Sequence, residues 1–193
     1  MPASYTNRRG KVYYIRAYKT RTGKDAWSMT MKKGEHLAEA VPEGYEIYEN
    51  PDGQVFLRKR LVSLIAPKEI QAVRTALARQ PHLRPVDTRL DLDKKTLTIF
   101  LLDRENVEAL GEMFREMRPS WRPDDAFIAS RGRYTAMLRL KLDDPDRRLF
   151  TLERYCFRGR IDGWIPLAWS QPLATLADKF FPHLGRESFF DLI

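Results

Sequence analysis

The first residues of the chain alternate between apolar and polar side chains in a way typical of β-hairpins. Residues 11–18 place aromatic and aliphatic side chains between charged ones, and residues 26–31 resume this pattern after a turn that contains Gly23. Successive side chains of a strand point to opposite faces, and glycine supplies the positive φ that a tight turn needs. The pattern predicts a hairpin over residues 11–31, which we call the N-terminal hairpin.

A second hairpin is predicted a few residues later. Residues 50–53, Asn-Pro-Asp-Gly, have the composition of a tight turn. A short helical turn is predicted over residues 34–41 and strands over 45–49 and 54–60, whereas residues 1–10 are polar and predict a frayed end. We therefore expect a small β-hairpin-rich N-terminal module over residues 1–62 and an α+β domain over residues 63–193.

The second region changes repeatedly between helical and strand spacing. Ile70, Val73 and Leu77 recur at helical spacing after Pro67, a favoured first-turn residue. Helices are predicted over residues 67–80, from an Asp103 cap to Met117, and after a Ser170 cap; strands over 88–92, 97–102, 133–142, 149–157 and 161–167; and a loop at Pro119 and Pro123. This order predicts an α+β fold in which helices pack on one face of an antiparallel sheet.

The positive charge of the chain is concentrated at its start. The 193 residues carry a formal net charge of +8. Residues 1–33 contain one acid, Asp25, and nine bases, namely Arg8, Arg9, Lys11, Arg16, Lys19, Arg21, Lys24, Lys32 and Lys33. The acids and bases of residues 34–193 cancel, so an anionic partner is expected at the N-terminal hairpin.

The N-terminal hairpin mixes these bases with aromatic rings. Strand alternation predicts one face with Tyr14, Arg16 and Tyr18 and another with Tyr13 and Ile15. Phosphate contacts are expected from Arg16, Lys19, Arg21 and Lys24, and base stacking from Tyr14, Tyr18 or Trp27. A two-stranded ribbon could also enter a major groove. A solvated edge hairpin has the same composition, because lysines and arginines prevent edge-to-edge pairing.

Carboxylates near residue 90 are the candidates for catalysis. Asp91, Asp93 and Glu105 follow one another closely in the chain, and hard oxygen ligands of this kind can grip a hydrated Mg²⁺. Asp93 is also the natural residue for the turn before Lys94, where it would serve the turn geometry alone.

Arg158, Arg160 and Asp162 form another candidate, an anion-binding tip or an ion pair that shapes a turn. The single cysteine, Cys156, excludes an internal disulfide and is expected to pack as a small core residue. Core packing is also expected for the aromatic residues near the C-terminus, namely Trp164, Trp169, Phe180, Phe181, Phe189 and Phe190.

Two resemblances bear on the origin of the chain. Residues 13–15, Tyr-Tyr-Ile, resemble a strand of GIY-YIG nucleases, but no Tyr-Ile-Gly follows, so no catalytic role carries over. Residues 44–59, with residues 11–15 upstream and 158–166 near the end, resemble a family of hypothetical bacterial proteins with no assigned activity. This second resemblance implies a bacterial origin.

Taken together, these patterns predict a non-enzymatic, nucleic-acid-associated protein. An alternative is a protein-interaction or structural module for an acidic protein, for example in a bacterial defence or toxin-like system. A second alternative is a divergent metal-dependent nuclease. The N-terminus has no apolar signal segment and no apolar run is long enough to span a membrane, so a cytoplasmic protein is expected. The sequence predicts no cofactor and leaves the oligomeric state open.

Overall fold

The computed structural model describes residues 2–158 and 161–192 and has the expected α+β class. Within these residues the chain forms ten β-strands and four α-helices. It divides into two compact units, one formed by Met1–Leu61 and Asn106–Arg133 and the other by Val62–Glu105 and Tyr134–Ile193. The break after Leu61 lies beside the expected boundary, but the first unit also takes residues from the middle of the chain.

The first unit contains both predicted hairpins. Its strands are β1 (Ser4–Thr6), β2 (Val12–Lys19), β3 (Asp25–Thr30), β4 (Tyr45–Glu49) and β5 (Val55–Lys59). The first three form an antiparallel sheet with β2 in the centre, and the last two form a separate antiparallel pair. β1 corrects the expectation of a frayed end. Its pairing with β2 closes over a turn at residues 7–10, in which the Gly10 amide donates to the Asn7 carbonyl (2.9 Å) and Gly10 has φ of 73°, a local turn signal that the prediction overlooked.

Residues 34–41 form a β-bridge and bends instead of the predicted helical turn. Leu37 pairs with Arg16 of β2, the Ala17 amide donates to the His36 carbonyl (2.9 Å), and the Ala38 amide donates to the Ile15 carbonyl (2.8 Å). Backbone groups of a half-buried strand need partners. β1 pairs only with residues 12–14 of β2, and residues 36–38 supply the partners for Ile15 and Ala17. These hydrogen bonds outweigh the local preference for a helical turn.

Two helices complete the first unit, α2 (Arg104–Met117), which begins in the second unit, and α3 (Asp125–Arg131). The rings of Phe114, Trp121 and Phe127 pack against one another with centroids 4.8–5.4 Å apart. Pro119 and Pro123 both lie in the predicted loop, since residues 118–124 are irregular, but α3 was not predicted. The helix is seven residues long, too short for a periodic signal, and its start is marked by Asp124, whose carboxylate accepts from the Phe127 amide.

The second unit is a five-stranded antiparallel sheet with helices. The strand order is β10-β9-β8-β7-β6. The elements are α1 (Pro67–Ala78), β6 (Thr88–Leu92), β7 (Thr96–Leu102), β8 (Tyr134–Asp144), β9 (Leu149–Arg158), β10 (Ile161–Pro172) and α4 (Leu173–Phe180), with 3₁₀ turns at Pro85–Asp87, Phe181–His183 and Glu187–Phe189. Every predicted strand of this region is present.

One face of this sheet carries the core. Its buried residues Leu97, Leu138 and Leu152 belong to the same cluster as Val73 of α1 and Leu176 of α4. The opposite face is polar, as shown by the paired Thr98, Arg139 and Glu153. Helices therefore cover one face of the sheet, as the alternating pattern predicts.

The C-terminal region differs from expectation at three residues. Ser170 does not cap α4: it lies in β10, has φ of 47°, and Pro172 precedes the helix. Trp169 is 65% exposed and Phe190 55% exposed, although both were expected in the core. The register of β10 shifts between Ala168 and Gln171, and such a bulge changes which side chains point inward, which explains Trp169. No helix within the described residues is long and apolar enough to cross a membrane.

Candidate functional site

The predicted alternation of β2 is present in the structure. Ile15 is fully buried, whereas Arg16 is exposed and Tyr18 is 42% exposed. The register sets Arg16 opposite Ser28 and Tyr18 opposite Ala26. Because these partners on β3 are small, the ring and the guanidinium are not covered from the neighbouring strand. Tyr14 lies on the same face but is half-buried.

Trp27 lies on the other face of the sheet. It pairs with Ala17 and therefore shares the face of Ile15. Its ring packs against Tyr45 with centroids 5.4 Å apart. The structure thus brings Tyr14 and Tyr18 to one surface and places Trp27 in a packing role between the hairpins.

The turn of the N-terminal hairpin presents two further bases. Arg21 and Lys24 are exposed in it. The Thr20 amide donates to the Lys24 carbonyl (2.8 Å), and the Gly23 amide donates to the Thr20 carbonyl (2.9 Å). Gly23 has φ of 78°, the left-handed conformation that the turn requires. These bonds hold the turn in one conformation, so both bases project from a defined tip.

Lys19 differs from the other predicted contacts because it is already paired. Its ammonium lies 2.6 Å from the carboxylate of Asp25, directly across the strands. Both side chains are largely exposed, so the pair adds little to stability. It does neutralise Lys19, which weakens that residue as a phosphate contact.

Residues 30–37 and one end of β2 line an open groove of about 750 Å³. We call it the β2 groove. The polar, charged and aromatic side chains that line it are those of Arg16, Tyr18, Lys19, Asp25, Thr30, Lys32, Glu35 and His36. The guanidinium of Arg16 lies 5.9 Å from the centroid of the Tyr18 ring. The groove therefore combines cations, an aromatic ring, a hydroxyl, an imidazole and two carboxylates.

Sequence reasoning missed His36 as a groove residue. It is exposed and has φ of 62°, a conformation that residues other than glycine rarely adopt. The β-bridge on its carboxyl side fixes the backbone in this position. No local pattern reveals this contact, whereas Lys32 was already visible in the charge count.

Arg8 is not available to a partner, although it belongs to the basic N-terminus. Its side chain is only 11% exposed. The guanidinium donates to the carbonyls of Ala129 (2.8 Å), Gly132 (3.0 Å) and Pro51 (2.6 Å). Arg8 therefore joins β1 to the second hairpin and to the end of α3. One of the nine bases of residues 1–33 is a structural residue.

Glu49 holds the same part of the unit together. Its carboxylate accepts from the Tyr5 hydroxyl (2.8 Å) and from the Arg8 amide (3.1 Å). Burial raises the pKa of Tyr5, and the hydrogen bond to Glu49 and the charge of Glu49 raise it further. Polar contacts thus anchor the N-terminal strand β1, which pairs in the same sheet with β2, the strand that lines the groove.

Of the candidate catalytic carboxylates, Glu105 lies apart from Asp91 and Asp93. Asp91 pairs with Thr98 on β6 and β7, and Asp93 is exposed in the turn between these strands, with its amide donating to the Thr96 carbonyl. Glu105 is exposed in the first turn of α2, beyond the far end of β7. Asp91 lies opposite Thr98, and four strand residues, about 13 Å at ~3.3 Å per residue, separate Thr98 from Leu102 at the end of β7. Glu105 thus lies away from both aspartates. Asp93 therefore matches the turn interpretation.

The other candidates from the sequence are the residues from 158 to 162, Cys156 and a metal site. The side chains of Arg158, Arg160 and Asp162 lie outside the described residues. Cys156 is a buried free cysteine, as expected of a core residue. The described residues contain no group of three or more histidine, cysteine or carboxylate side chains that could hold a metal ion.

The chain matches no protein-family model, no curated protein and no solved structure. The functional argument therefore depends on the chemistry of the chain's own residues, foremost those of the β2 groove.

Proposed function

We propose that the protein binds nucleic acid through the β2 groove and the tip of the N-terminal hairpin. One observation carries this proposal: Arg16 and Lys32 line the same groove as the exposed ring of Tyr18. Arg21 and Lys24 lie in the turn that follows Lys19. Lys19 itself lines the groove, so the turn lies next to it. Phosphates and bases are the two parts of one ligand that such a surface accepts together.

The charges in this region support binding to a polyanion. Among the described residues, Arg16, Arg21, Lys24 and Lys32 form no ion pair with a carboxylate. An unpaired surface cation can neutralise a phosphate without first breaking an internal contact, and the counterions released from the nucleic acid favour association. Lys19 is the exception, since Asp25 already holds it.

The aromatic component makes nucleic acid a better partner than a simple polyanion. Tyr18 presents its ring beside the Arg16 guanidinium, and small side chains face both of them across the sheet. Base stacking on such a ring contributes about 1–3 kcal/mol. A polyanion without aromatic bases would not gain this stacking free energy.

Charge reversal tests the proposal. Labelled DNA and RNA oligonucleotides are titrated with the protein at low and at high salt, and fluorescence anisotropy reports binding. The test variant replaces four bases with glutamate: Arg16→Glu, Arg21→Glu, Lys24→Glu and Lys32→Glu. The control carries the same change in charge on exposed residues of the second unit: Arg79→Glu, Lys95→Glu, Lys141→Glu and Arg147→Glu.

The expected result is binding at low salt that weakens steeply with salt, is lost in the test variant and is largely kept in the control. Equal loss in both variants would show that total charge, and not this surface, determines binding. Binding of neither DNA nor RNA at low salt would overturn the proposal. An acidic protein that co-purifies stoichiometrically after nuclease treatment would then be the better partner.

A further inference from the structure

The surroundings of β2 indicate which form of nucleic acid the groove accepts. β2 is not a free ribbon: β3 lies on one side of it, and β1 and residues 36–38 lie on the other. The Ala3 amide also donates to the Ala38 carbonyl (2.9 Å), which ties that segment to the N-terminus. Both long edges of β2 are therefore occupied by other backbone.

Arg16 and Tyr18 line the β2 groove, which is open to solvent. Its volume of about 750 Å³ lies within the range of about 300–1,000 Å³ typical of pockets for small ligands. A duplex exposes its base edges only at the floors of its own grooves, so a protein must insert a convex helix or ribbon to read them. A concave site suits a base that has left the helical stack.

The position of Tyr18 favours the same ligand. Its ring is 42% exposed, and its neighbour across the sheet is Ala26. A base can stack on this ring only if its own face is uncovered, which excludes the interior bases of a duplex. Arg16, 5.9 Å from the ring centroid, can extend the stacking surface or contact the adjoining phosphate.

The remaining lining residues match the polar groups of a nucleoside. Thr30, Glu35 and His36 provide a hydroxyl, a carboxylate and an imidazole, which can donate to and accept from a base edge or a sugar hydroxyl. A site for phosphate alone would not contain a carboxylate such as Glu35, because the two negative charges repel each other. The exposed bases Arg21 and Lys24 at the tip can follow the backbone of the strand as it leaves the groove.

We infer that the β2 groove holds one unpaired nucleotide of a single-stranded nucleic acid, with its base against Tyr18. This inference rests on the proposed function, because it specifies the form of nucleic acid bound at the same surface. It predicts a preference for single strands over duplex of the same sequence, and a stacking contribution that a charge change cannot reproduce.

The test compares a labelled single strand with its own duplex, using fluorescence anisotropy at low salt. Three proteins are titrated: the unchanged chain, Tyr18→Ala and Tyr18→Phe. Tyr18 is partly exposed, so both variants should retain the fold, and thermal unfolding followed by circular dichroism verifies this. Tyr18→Phe is the matched control because it keeps the ring and removes only the hydroxyl.

The single strand should bind more tightly than the duplex. Tyr18→Ala should weaken single-strand binding by about tenfold, since stacking contributes about 1–3 kcal/mol, while Tyr18→Phe changes it less than threefold. Duplex binding should be the same in all three proteins.

Two other outcomes separate this inference from the proposed function. Equal or tighter duplex binding that is insensitive to Tyr18→Ala, yet lost on charge reversal of the hairpin, would overturn the single-strand inference and leave the proposed function standing. Binding to neither form would overturn both.

Discussion

Replacing Arg8 with methionine should destabilise the first unit more than any other single change of charge at the N-terminus. Its guanidinium makes three hydrogen bonds to carbonyl oxygens at 2.6–3.0 Å, and the side chain is 11% exposed. Methionine keeps the apolar stem but leaves three partly buried carbonyls without this donor.

Hydrogen bonds from a charged donor contribute about 1.5–3 kcal/mol each, and the contributions of bonds in one network do not add fully. We therefore expect a loss of about 3–5 kcal/mol for Arg8→Met. Hydrogen exchange of the β2 amides in increasing urea measures this loss, because those amides report on the first unit. The matched control is Arg21→Met, an exposed residue at which the change should stay within about 0.5 kcal/mol.

A loss below about 1 kcal/mol for Arg8→Met would refute the structural role of Arg8. That result would leave the Arg8 side chain free to contact a phosphate. Where the variant remains folded, its affinity for nucleic acid should equal that of the unchanged protein, since Arg8 lies outside the β2 groove.

Three further measurements test the electrostatics. Burial raises the pKa of Glu69, but hydrogen bonds from Arg148 and from the Ala66 amide and the charge of Arg148 outweigh it, so the pKa is lowered overall. The stabilisation by this pair should be present at neutral pH and lost as the pH falls below about 4.3, where an unfolded glutamate titrates. Urea unfolding should show that Glu69→Gln lowers the free energy of unfolding by roughly 2 kcal/mol at pH 7 and by much less at pH 3. Tyr5 should ionise at higher pH than the exposed tyrosines in an ultraviolet titration, because burial and a hydrogen-bonded carboxylate raise its pKa. Asp25→Asn should release Lys19 and strengthen nucleic-acid binding about two- to fivefold at low salt, since it also removes an acid from the groove.

Each of these has a result that would contradict it. A cost of Glu69→Gln that does not change with pH would assign its role to packing. Ionisation of Tyr5 together with the exposed tyrosines would show that Glu49 does not hold it. Weaker binding by Asp25→Asn would mean that Lys19 contacts the ligand only while it is held by its ion pair with Asp25.

Most of the fold was predictable because its signals are local. Gly23 marks the first hairpin turn, Pro67 marks the first residue of α1, and alternation from residue 88 onward predicts every strand of the large sheet. The failures have different causes. The signal for β1 is an overlooked turn at Asn7 and Gly10, and α3 is too short to show helical periodicity. Residues 34–41 instead depend on distant residues, because they follow the backbone needs of Ile15 and Ala17.

The candidate site divides in the same way. Arg16, Tyr14 and Tyr18 were assigned to one face by strand alternation, and the register agrees. The same register places Trp27 on the opposite face, a result that follows only once the pairing across the turn is known. His36 could not be recognised, because its position in the groove depends on the β-bridge between Leu37 and Arg16, which lie far apart in the chain.

The salt dependence of binding to a single-stranded oligonucleotide tests the central claim most directly. Arg16, Arg21, Lys24 and Lys32 would neutralise up to four phosphates, so the logarithm of the affinity should fall with the logarithm of salt concentration with a slope of roughly −3. Removing two of these charges with Arg21→Ala and Lys24→Ala should reduce the slope by about 1.4. A slope near zero, or one that the double substitution leaves unchanged, would contradict phosphate binding by the N-terminal hairpin.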